Sequence, residues 1–111
     1  MTNVALSENF KRDFKRLAKK FRTLFAELNF LISELEVNPQ QGADLGGGFY
    51  KIRLASESKG GGKSGGFCVI TYYLEKTEEG ETLYLVTIYD KSEASIVDKK
   101  GLLKIIESEL E

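Results

Sequence analysis

The residues best suited to chemistry in this chain are cations on a predicted strand and in the loop that follows it. Lys51 and Arg53 are two residues apart in a β-rich run, residues 49–54, and residues two apart on a strand share one face. Lys59 and Lys63 follow in a glycine-rich loop. Clustered cations on a sheet beside such a loop predict a site for a phosphate backbone. The alternative is a hairpin loop whose lysines are incidental.

The same loop contains the string Gly62-Lys63-Ser64, which resembles the end of a Walker A loop that binds nucleotide triphosphates. That motif requires glycine where this chain has Glu57. It also requires a helix next, so that the phosphate lies at a helix N-terminus. The run that follows, residues 67–73, is instead rich in β-branched and aromatic residues. Binding of a nucleotide triphosphate is therefore disfavoured.

The composition excludes several other chemistries. The chain has no histidine and a single cysteine, Cys68, so it lacks the commonest general base and supports neither a Cys-His nucleophile pair nor a zinc site. No group of Asp and Glu has the spacing of a calcium or magnesium loop. We therefore predict that the protein uses no metal and no other cofactor. Cys68 itself is expected to be a half-buried strand residue rather than a reactive thiol.

The cysteine count, the apolar runs and the charge distribution also limit the cellular compartment and the partners that we expect. One cysteine permits no internal disulfide, and the chain shows neither a signal peptide nor an apolar run of the ~20 residues that span a bilayer. We expect a cytoplasmic protein with no membrane partner. The net charge of −1 conceals an asymmetry, because residues 1–63 contain eleven Lys and Arg against seven Asp and Glu, and residues 64–111 contain five against ten. A polyanion is expected to dock on the first segment.

Two helices are predicted in the first forty or so residues. Ser7 is a suitable N-cap, and the apolar residues after it recur at helical spacing. A break is expected near residues 21–23, and a second helix then runs to about Glu36, before Asn38-Pro39 ends it. Two apolar stripes joined by a short turn predict an antiparallel helical hairpin. Lys15 and Lys19 belong to a basic face on the first helix, which is either solvated or a surface for RNA.

Three strands and a last helix are predicted in the remainder. The strands are residues 49–54, 67–73 and 82–89, which pair antiparallel, and the helix covers about residues 99–109. The order of elements predicts an α+β fold in a single domain, residues 1–111. In it, the N-terminal helical hairpin packs on a small antiparallel β-sheet, with a C-terminal helix.

Several strings in this order resemble the RelE/HigB-like toxins of type II toxin–antitoxin systems, in the RelE/ParE superfamily. The resemblance covers about residues 8–107. It implies a ribosome-dependent, metal-independent mRNA endonuclease that inhibits translation. It also implies ribosome and mRNA as partners, and a cognate antitoxin that is often a helix-turn-helix DNA-binding protein. The strings are Phe14-Lys15-Arg16-Leu17, Leu35 to Pro39, Tyr50 to Ala55, Gly62 to Phe67 and Ile88 to Glu93.

The resemblance implies a role for each candidate residue. Lys51 and Arg53 match the cationic pair of the family, with Arg53 holding the scissile phosphate and Lys51 acting as base if neighbouring cations make it easier to deprotonate. Tyr89 is a candidate for proton transfer or for stacking on a base, and Lys91 lies where the family carries a cation after its last long strand. The candidate RNA contacts outside this group are Lys59, Lys63, Ser64, Lys15 and Lys19.

The chain departs from the family pattern at Cys68. An arginine commonly follows the aromatic residue after the Gly-Gly pair, and here Cys68 follows Phe67. Loss of one preorganised donor at the phosphate typically costs ~3 kcal/mol, roughly a hundredfold in rate. Val97 falls near the place of a RelE-type tyrosine. Besides the endonuclease, two hypotheses stay open: a catalytically degenerate RelE-like binding protein that keeps the antitoxin or ribosome interface, and a toxin with a protein target.

Overall fold

The computed structural model describes residues 2–59, 66–77, 80–92 and 98–110, and within them it contains three helices and five strands. Lys63, Ser64 and Val97, which the sequence analysis singled out, lie outside the described residues. In chain order the elements are β1 (Asn3–Leu6), α1 (Glu8–Lys20), α2 (Leu24–Val37), β2 (Ala43–Gly46), β3 (Phe49–Leu54), a 3₁₀ turn (Glu57–Lys59), β4 (Phe67–Thr77), β5 (Gly80–Asp90) and α3 (Lys99–Leu110).

The strands form one sheet in the order β1-β5-β4-β3-β2. The three predicted strands, β3, β4 and β5, pair antiparallel as expected. The prediction of an antiparallel sheet was nevertheless wrong for the sheet as a whole, because β1 pairs parallel with β5 and makes it mixed. Neither short strand, β1 nor β2, was predicted. Each has only four residues, too few for a periodic pattern to stand out.

The helix boundaries follow from local chemistry. The Ser7 hydroxyl accepts a hydrogen bond from the Phe10 amide at 2.9 Å, and it donates one to the Val86 carbonyl at 2.9 Å. This N-cap therefore begins α1 and also ties it to β5. The second helix ends at Val37, with Asn38 as its C-cap immediately before Pro39. Both predicted boundaries are confirmed, whereas the antiparallel packing of α1 on α2 stays a prediction.

Helices cover both faces of the sheet. One face carries the larger core, in which α1 and α2 pack through Phe10, Leu17, Leu24, Leu28, Leu31 and Leu35 on β3, β4 and β5. On the other face, Leu102 and Ile106 of α3 pack on Phe49, Ile70 and Val86. The strands β3, β4 and β5 each contribute buried side chains to both cores. With three helices packed on one five-stranded sheet, the fold is α+β as predicted. Within the described residues no helix is long and apolar enough to cross a membrane.

Two glycines allow backbone segments to approach closely around β3. A Cβ atom on Gly66, just before β4, would lie 2.5 Å from the Leu54 carbonyl oxygen. A Cβ atom on Gly42 would lie 2.4 Å from the Lys51 carbonyl oxygen, and the φ angle of Gly42 is +94°. Any other residue at either position would have to displace the backbone. Glycines of the neighbouring segments therefore lie close against the middle of β3 and against its C-terminal end.

Candidate functional site

Arg53, Cys68 and Tyr89 stand in one row across β3, β4 and β5. Arg53 is the register partner of Cys68, and Cys68 is the partner of Tyr89. Neighbouring strands lie about 4.8 Å apart, so the backbones of Arg53 and Tyr89 are separated by roughly 10 Å, with the thiol between them. The row lies near the end of β3, at the end of the sheet where the chain leaves toward residues 60–65. We call these three residues the Arg53 row.

Lys51 lies on the same face, two residues along β3 from Arg53. Its register partner on β4 is Ile70, which belongs to the core under α3. Both cationic side chains are exposed, whereas the intervening Ile52 and the following Leu54 are buried on the other face. The alternation of β3 thus places the two cations two residues apart on the α3 face of the sheet, where both remain exposed.

A β-bulge brings Tyr89 to this face. On an unbroken strand Tyr89 would share a face with Leu83 and Leu85, which point toward α1 and α2. The register shifts between Ile70 and Thr71 of β4, because Ile70 pairs with Thr87 and Thr71 pairs with Leu85. Val86 is therefore an extra residue, and the alternation reverses after it. Tyr89 accordingly packs against the α3 core and stands opposite Cys68.

The environment of Tyr89 makes its phenol a weaker acid than that of an ordinary tyrosine. Burial, then the hydrogen bond and the electrostatic interaction with Cys68, raise the pKa of Tyr89 to about 12. The phenol is therefore protonated at neutral pH, so it can donate a proton or a hydrogen bond but cannot act as a base there. Cys68 is only 3% exposed, which makes it more deeply buried than the half-buried strand residue that the sequence predicted.

Lys59 is held away from the Arg53 row. Its ammonium forms an ion pair with the Asp90 carboxylate, and the two side chains are only 13% and 8% exposed. The same ammonium lies 5.2 Å from the centroid of the Phe67 ring and 5.9 Å from that of Phe21, and both rings belong to the core under α1 and α2. The ammonium of Lys59 is thus paired in the interior of the protein, on the opposite face of the sheet from Arg53.

Asp90 is the acceptor at the centre of this arrangement. Its Oδ1 atom also accepts hydrogen bonds from the Ser92 amide at 3.0 Å and the Ser92 hydroxyl at 2.9 Å. Burial alone would raise the pKa of the Asp90 carboxyl, but the hydrogen bonds from Lys59 and Ser92 outweigh it and hold the pKa below its usual value. The carboxylate therefore stays ionised and ties the turn at residues 57–59 to the end of β5.

The remaining predicted contacts occupy different places. Lys91 is exposed directly after β5, and its backbone amide donates to the Gly66 carbonyl at 3.4 Å, so it lies at the same end of the sheet as the Arg53 row. Lys15 and Lys19 are exposed on α1, which packs on the opposite face. The structure therefore brings Lys51, Arg53, Tyr89 and Lys91 to one end of the sheet. The two lysines of α1 lie on the opposite face of the sheet.

Two interactions at this site were missed by sequence reasoning. The Lys59–Asp90 pair joins residues 31 apart, and the Cys68–Tyr89 contact depends on the register of two strands. The available signal was Asp90 itself, since an acid at the end of an apolar strand needs a partner if it is buried. For metals, no group of three or more His, Cys, Asp or Glu among the described residues is placed to hold an ion.

A comparison with known protein families gives a match over nearly the whole chain. The family model described as the RelE toxin of the RelE/RelB toxin–antitoxin system matches residues 9–108. That span contains the whole Arg53 row, Lys51 and Lys91, and every strand from β2 to β5.

Proposed function

The chain belongs to the RelE toxin family, and from this premise we propose that it is a ribosome-dependent, metal-independent mRNA endonuclease. Family membership makes it a toxin of a toxin–antitoxin system with an antitoxin as partner. The proposal adds that the toxin works in the cytoplasm, cuts mRNA on the ribosome and so inhibits translation. It also adds that the antitoxin is a helix-turn-helix DNA-binding protein.

The observation that carries the proposal is the Arg53 row with Lys51 beside it, an exposed cationic strand face next to a protonated phenol. In RNA cleavage without a metal, the 2′-hydroxyl loses its proton and its oxygen attacks the adjacent phosphorus. The bond from phosphorus to the 5′-oxygen then breaks, leaving a 2′,3′-cyclic phosphate. The departing 5′-oxygen takes up a proton. The site must therefore supply a base, a cation at the phosphate and an acid.

The residues divide these roles according to their charge and exposure. Arg53 binds the scissile phosphate and neutralises the charge that develops on it, because its guanidinium presents paired donors that match phosphate oxygens. Tyr89 donates the proton to the 5′-oxygen, since it faces Cys68 in the Arg53 row and its phenol is protonated at neutral pH. Lys51 serves as the base, and Lys91 adds positive charge at the same end of the sheet. Tyr89 is not proposed as a base.

RNA beyond the scissile phosphate is proposed to be held by Lys63 and Ser64 of the glycine-rich loop and by Lys15 and Lys19 of α1. The helix lysines would contact RNA or ribosome that passes around the end of the sheet, because α1 packs on the opposite face. Lys59 is proposed to position the loop instead of binding phosphate. To reach RNA it would have to leave Asp90 and expose a buried carboxylate, which is costly.

A second function is favoured by Cys68. This buried residue occupies the centre of the Arg53 row, where the family pattern places an arginine, and a thiol supplies no positive charge to the phosphate. A toxin fold that has lost cleavage would keep its antitoxin or ribosome interface and act as a binding protein. The two functions differ in whether the natural protein cuts RNA at all.

The test uses ribosomes programmed with a defined mRNA and incubated with the natural protein or with Cys68→Arg. Discrete cuts by the natural protein support the endonuclease, and an mRNA carrying a 2′-deoxy nucleotide at the cut position should then resist cleavage. Cutting by Cys68→Arg alone supports the binding protein with a degenerate site. If neither protein cuts while both bind ribosomes or antitoxin, the endonuclease proposal is wrong.

A further inference from the structure

The bulge in β5 is held by side chains at the N-terminal end of α1. Val86, the extra residue of the bulge, has no register partner on β4, and a bulge leaves such a residue outside the regular ladder of hydrogen bonds. The Val86 carbonyl oxygen accepts a hydrogen bond from the Ser7 hydroxyl at 2.9 Å and another from the Nδ2 atom of Asn9 at 3.1 Å. Both acceptor positions of this carbonyl are therefore filled by side chains.

Further hydrogen bonds hold the next residue of β5. The Thr87 hydroxyl donates to the Oδ2 atom of Asp13 at 2.9 Å, and the Asn9 amide donates to the same oxygen at 3.2 Å. The Oδ1 atom of Asn9 accepts from Arg12 at 3.0 Å, so both ends of the amide are used. One continuous chain of hydrogen bonds, which we call the bulge network, joins Val86, Asn9, Asp13 and Thr87.

An amide is well suited to the centre of the bulge network. Asn9 faces a carbonyl oxygen and a carboxylate oxygen at once, and each of these acceptors needs a donor. An amide NH₂ group supplies two donors, whereas a carboxylate supplies none. Asn9→Asp would keep the shape of the side chain but would set a second carboxylate against Asp13 and the Val86 carbonyl. This isosteric change therefore breaks the network at its centre.

The bulge determines the face of the sheet on which Tyr89 lies. Because the alternation reverses after Val86, Tyr89 stands opposite Cys68 and packs against the α3 core. In a strand without the bulge the Tyr89 ring would turn to the other face, away from Arg53. The bulge network itself belongs to the layer of α1, on that other face. Any effect that it has on the Arg53 row must therefore pass through the backbone of β5.

We propose that Asn9, Asp13 and Thr87 are positioning residues of the RNA-cleaving site, whose hydrogen bonds hold the β5 bulge and so keep the Tyr89 phenol in the Arg53 row. The inference rests on the proposed function for the role of the phenol, whereas the position of the ring is measurable without RNA. Misplacement of a reacting group by about 1 Å can slow a reaction about 100-fold. Residues that touch no RNA can therefore control the rate.

The first test measures single-turnover cleavage of a defined mRNA at saturating programmed ribosomes. Thr87→Val removes the hydroxyl and keeps the branched shape, and it should slow cleavage roughly tenfold. Thr87→Ser keeps the hydroxyl and should restore a rate within about twofold of the natural one. The matched control is Thr82→Val, the same change on β5 outside the bulge, which should cut at the natural rate.

A double variant shows whether Thr87 acts through Tyr89. In a Tyr89→Phe protein the phenol is already absent, so adding Thr87→Val should slow cleavage no further. A further slowing by the same factor as in the natural protein would show a general structural effect and would overturn the proposal. So would a folded Thr87→Val protein that cuts at the natural rate.

The second test locates the Tyr89 ring by NMR with no ribosome or RNA present. Nuclear Overhauser signals between the Tyr89 ring and the Cys68 β-protons are expected, because the two residues are register partners on neighbouring strands. Asn9→Asp and Asp13→Leu should lose these signals. Asp13→Asn, which keeps an acceptor oxygen, and the Thr82→Val control should retain them.

Unchanged signals in a folded Asn9→Asp protein would contradict the proposed role of the bulge network. The two proposals can fail separately. If the natural protein cuts no RNA, the endonuclease proposal fails, whereas the NMR signals still decide whether the network holds the Tyr89 ring beside Cys68.

Discussion

Breaking the Lys59–Asp90 ion pair should be among the most destabilising single changes in the protein. Both side chains are almost fully buried, and the ammonium lies against two aromatic rings. Asp90→Asn keeps the size of the side chain and leaves an oxygen for the two Ser92 hydrogen bonds. It nevertheless leaves Lys59 buried without its counter-charge. Removing one partner of a buried pair costs about 3–5 kcal/mol, and we expect about 3 kcal/mol because the Ser92 contacts survive.

A double-mutant cycle isolates the interaction from other effects of the changes. Lys59→Met removes the ammonium but keeps an unbranched stem over Phe21 and Phe67. If the pair is coupled as the structure indicates, combining it with Asp90→Asn should cost about 2 kcal/mol less than the sum of the single changes. The free energy of unfolding is measured by urea denaturation for all four proteins. The matched control is the exposed Lys11–Glu8 pair, 3.4 Å apart, for which coupling below about 0.5 kcal/mol is expected.

The same pair has a predictable dependence on pH. The folded-state pKa of Asp90 is lowered, so the folded protein binds fewer protons at this group than the unfolded chain does. Its contribution is therefore fully present above the unfolded pKa of about 3.9 and is lost as the pH falls through the lower folded pKa. The difference in stability between the natural protein and Asp90→Asn should accordingly shrink below about pH 4. Additive single changes, or a gap that does not change with pH, would refute the reasoning.

Two further predictions concern the phenol and the glycines. Tyr89→Phe removes only the hydroxyl, so it should slow cleavage about 100-fold or more while the melting temperature changes little; an unchanged single-turnover rate would exclude Tyr89 as the proton donor. Gly66→Ala should destabilise the protein by about 1–3 kcal/mol, because its Cβ would meet the Leu54 carbonyl oxygen at 2.5 Å. Gly101→Ala should instead stabilise α3 by about 0.5–1 kcal/mol, because no atom lies within 4 Å of the added Cβ. A higher melting temperature for Gly66→Ala than for Gly101→Ala would contradict both expectations.

The sequence predicted those elements whose signals are local. The bounds of β3 at Phe49 and Leu54 are as predicted, and Ser7 and Pro39 marked helix ends correctly, because a cap or a proline acts on its immediate neighbours. The α+β class followed from the order of these elements. The shared face of Lys51 and Arg53 also followed, since it depends only on the alternation of one strand.

What the sequence did not predict depends on contacts between distant segments. The parallel pairing of β1 joins Leu6 to Leu85, and no local pattern carries such information. The residues around Val86 alternate in the sequence as in a regular strand, so nothing there predicts a bulge. The bulge nevertheless determines the face of the sheet on which Tyr89 lies. Lys59 was predicted as a phosphate contact from its place in the loop after β3, and its ion pair with Asp90 was not foreseen because the two residues are 31 apart in the sequence.

The most direct test of the central claim is the rate of mRNA cleavage on programmed ribosomes by Arg53→Ala. Arg53 is exposed, so its removal should change the free energy of unfolding by less than about 0.5 kcal/mol. Lys104→Ala, which removes an exposed cation from α3, is the matched control. The account predicts that Arg53→Ala cuts at least about 100-fold more slowly than the natural protein, while Lys104→Ala cuts at the natural rate. Equal rates for the natural protein and a folded Arg53→Ala would contradict it.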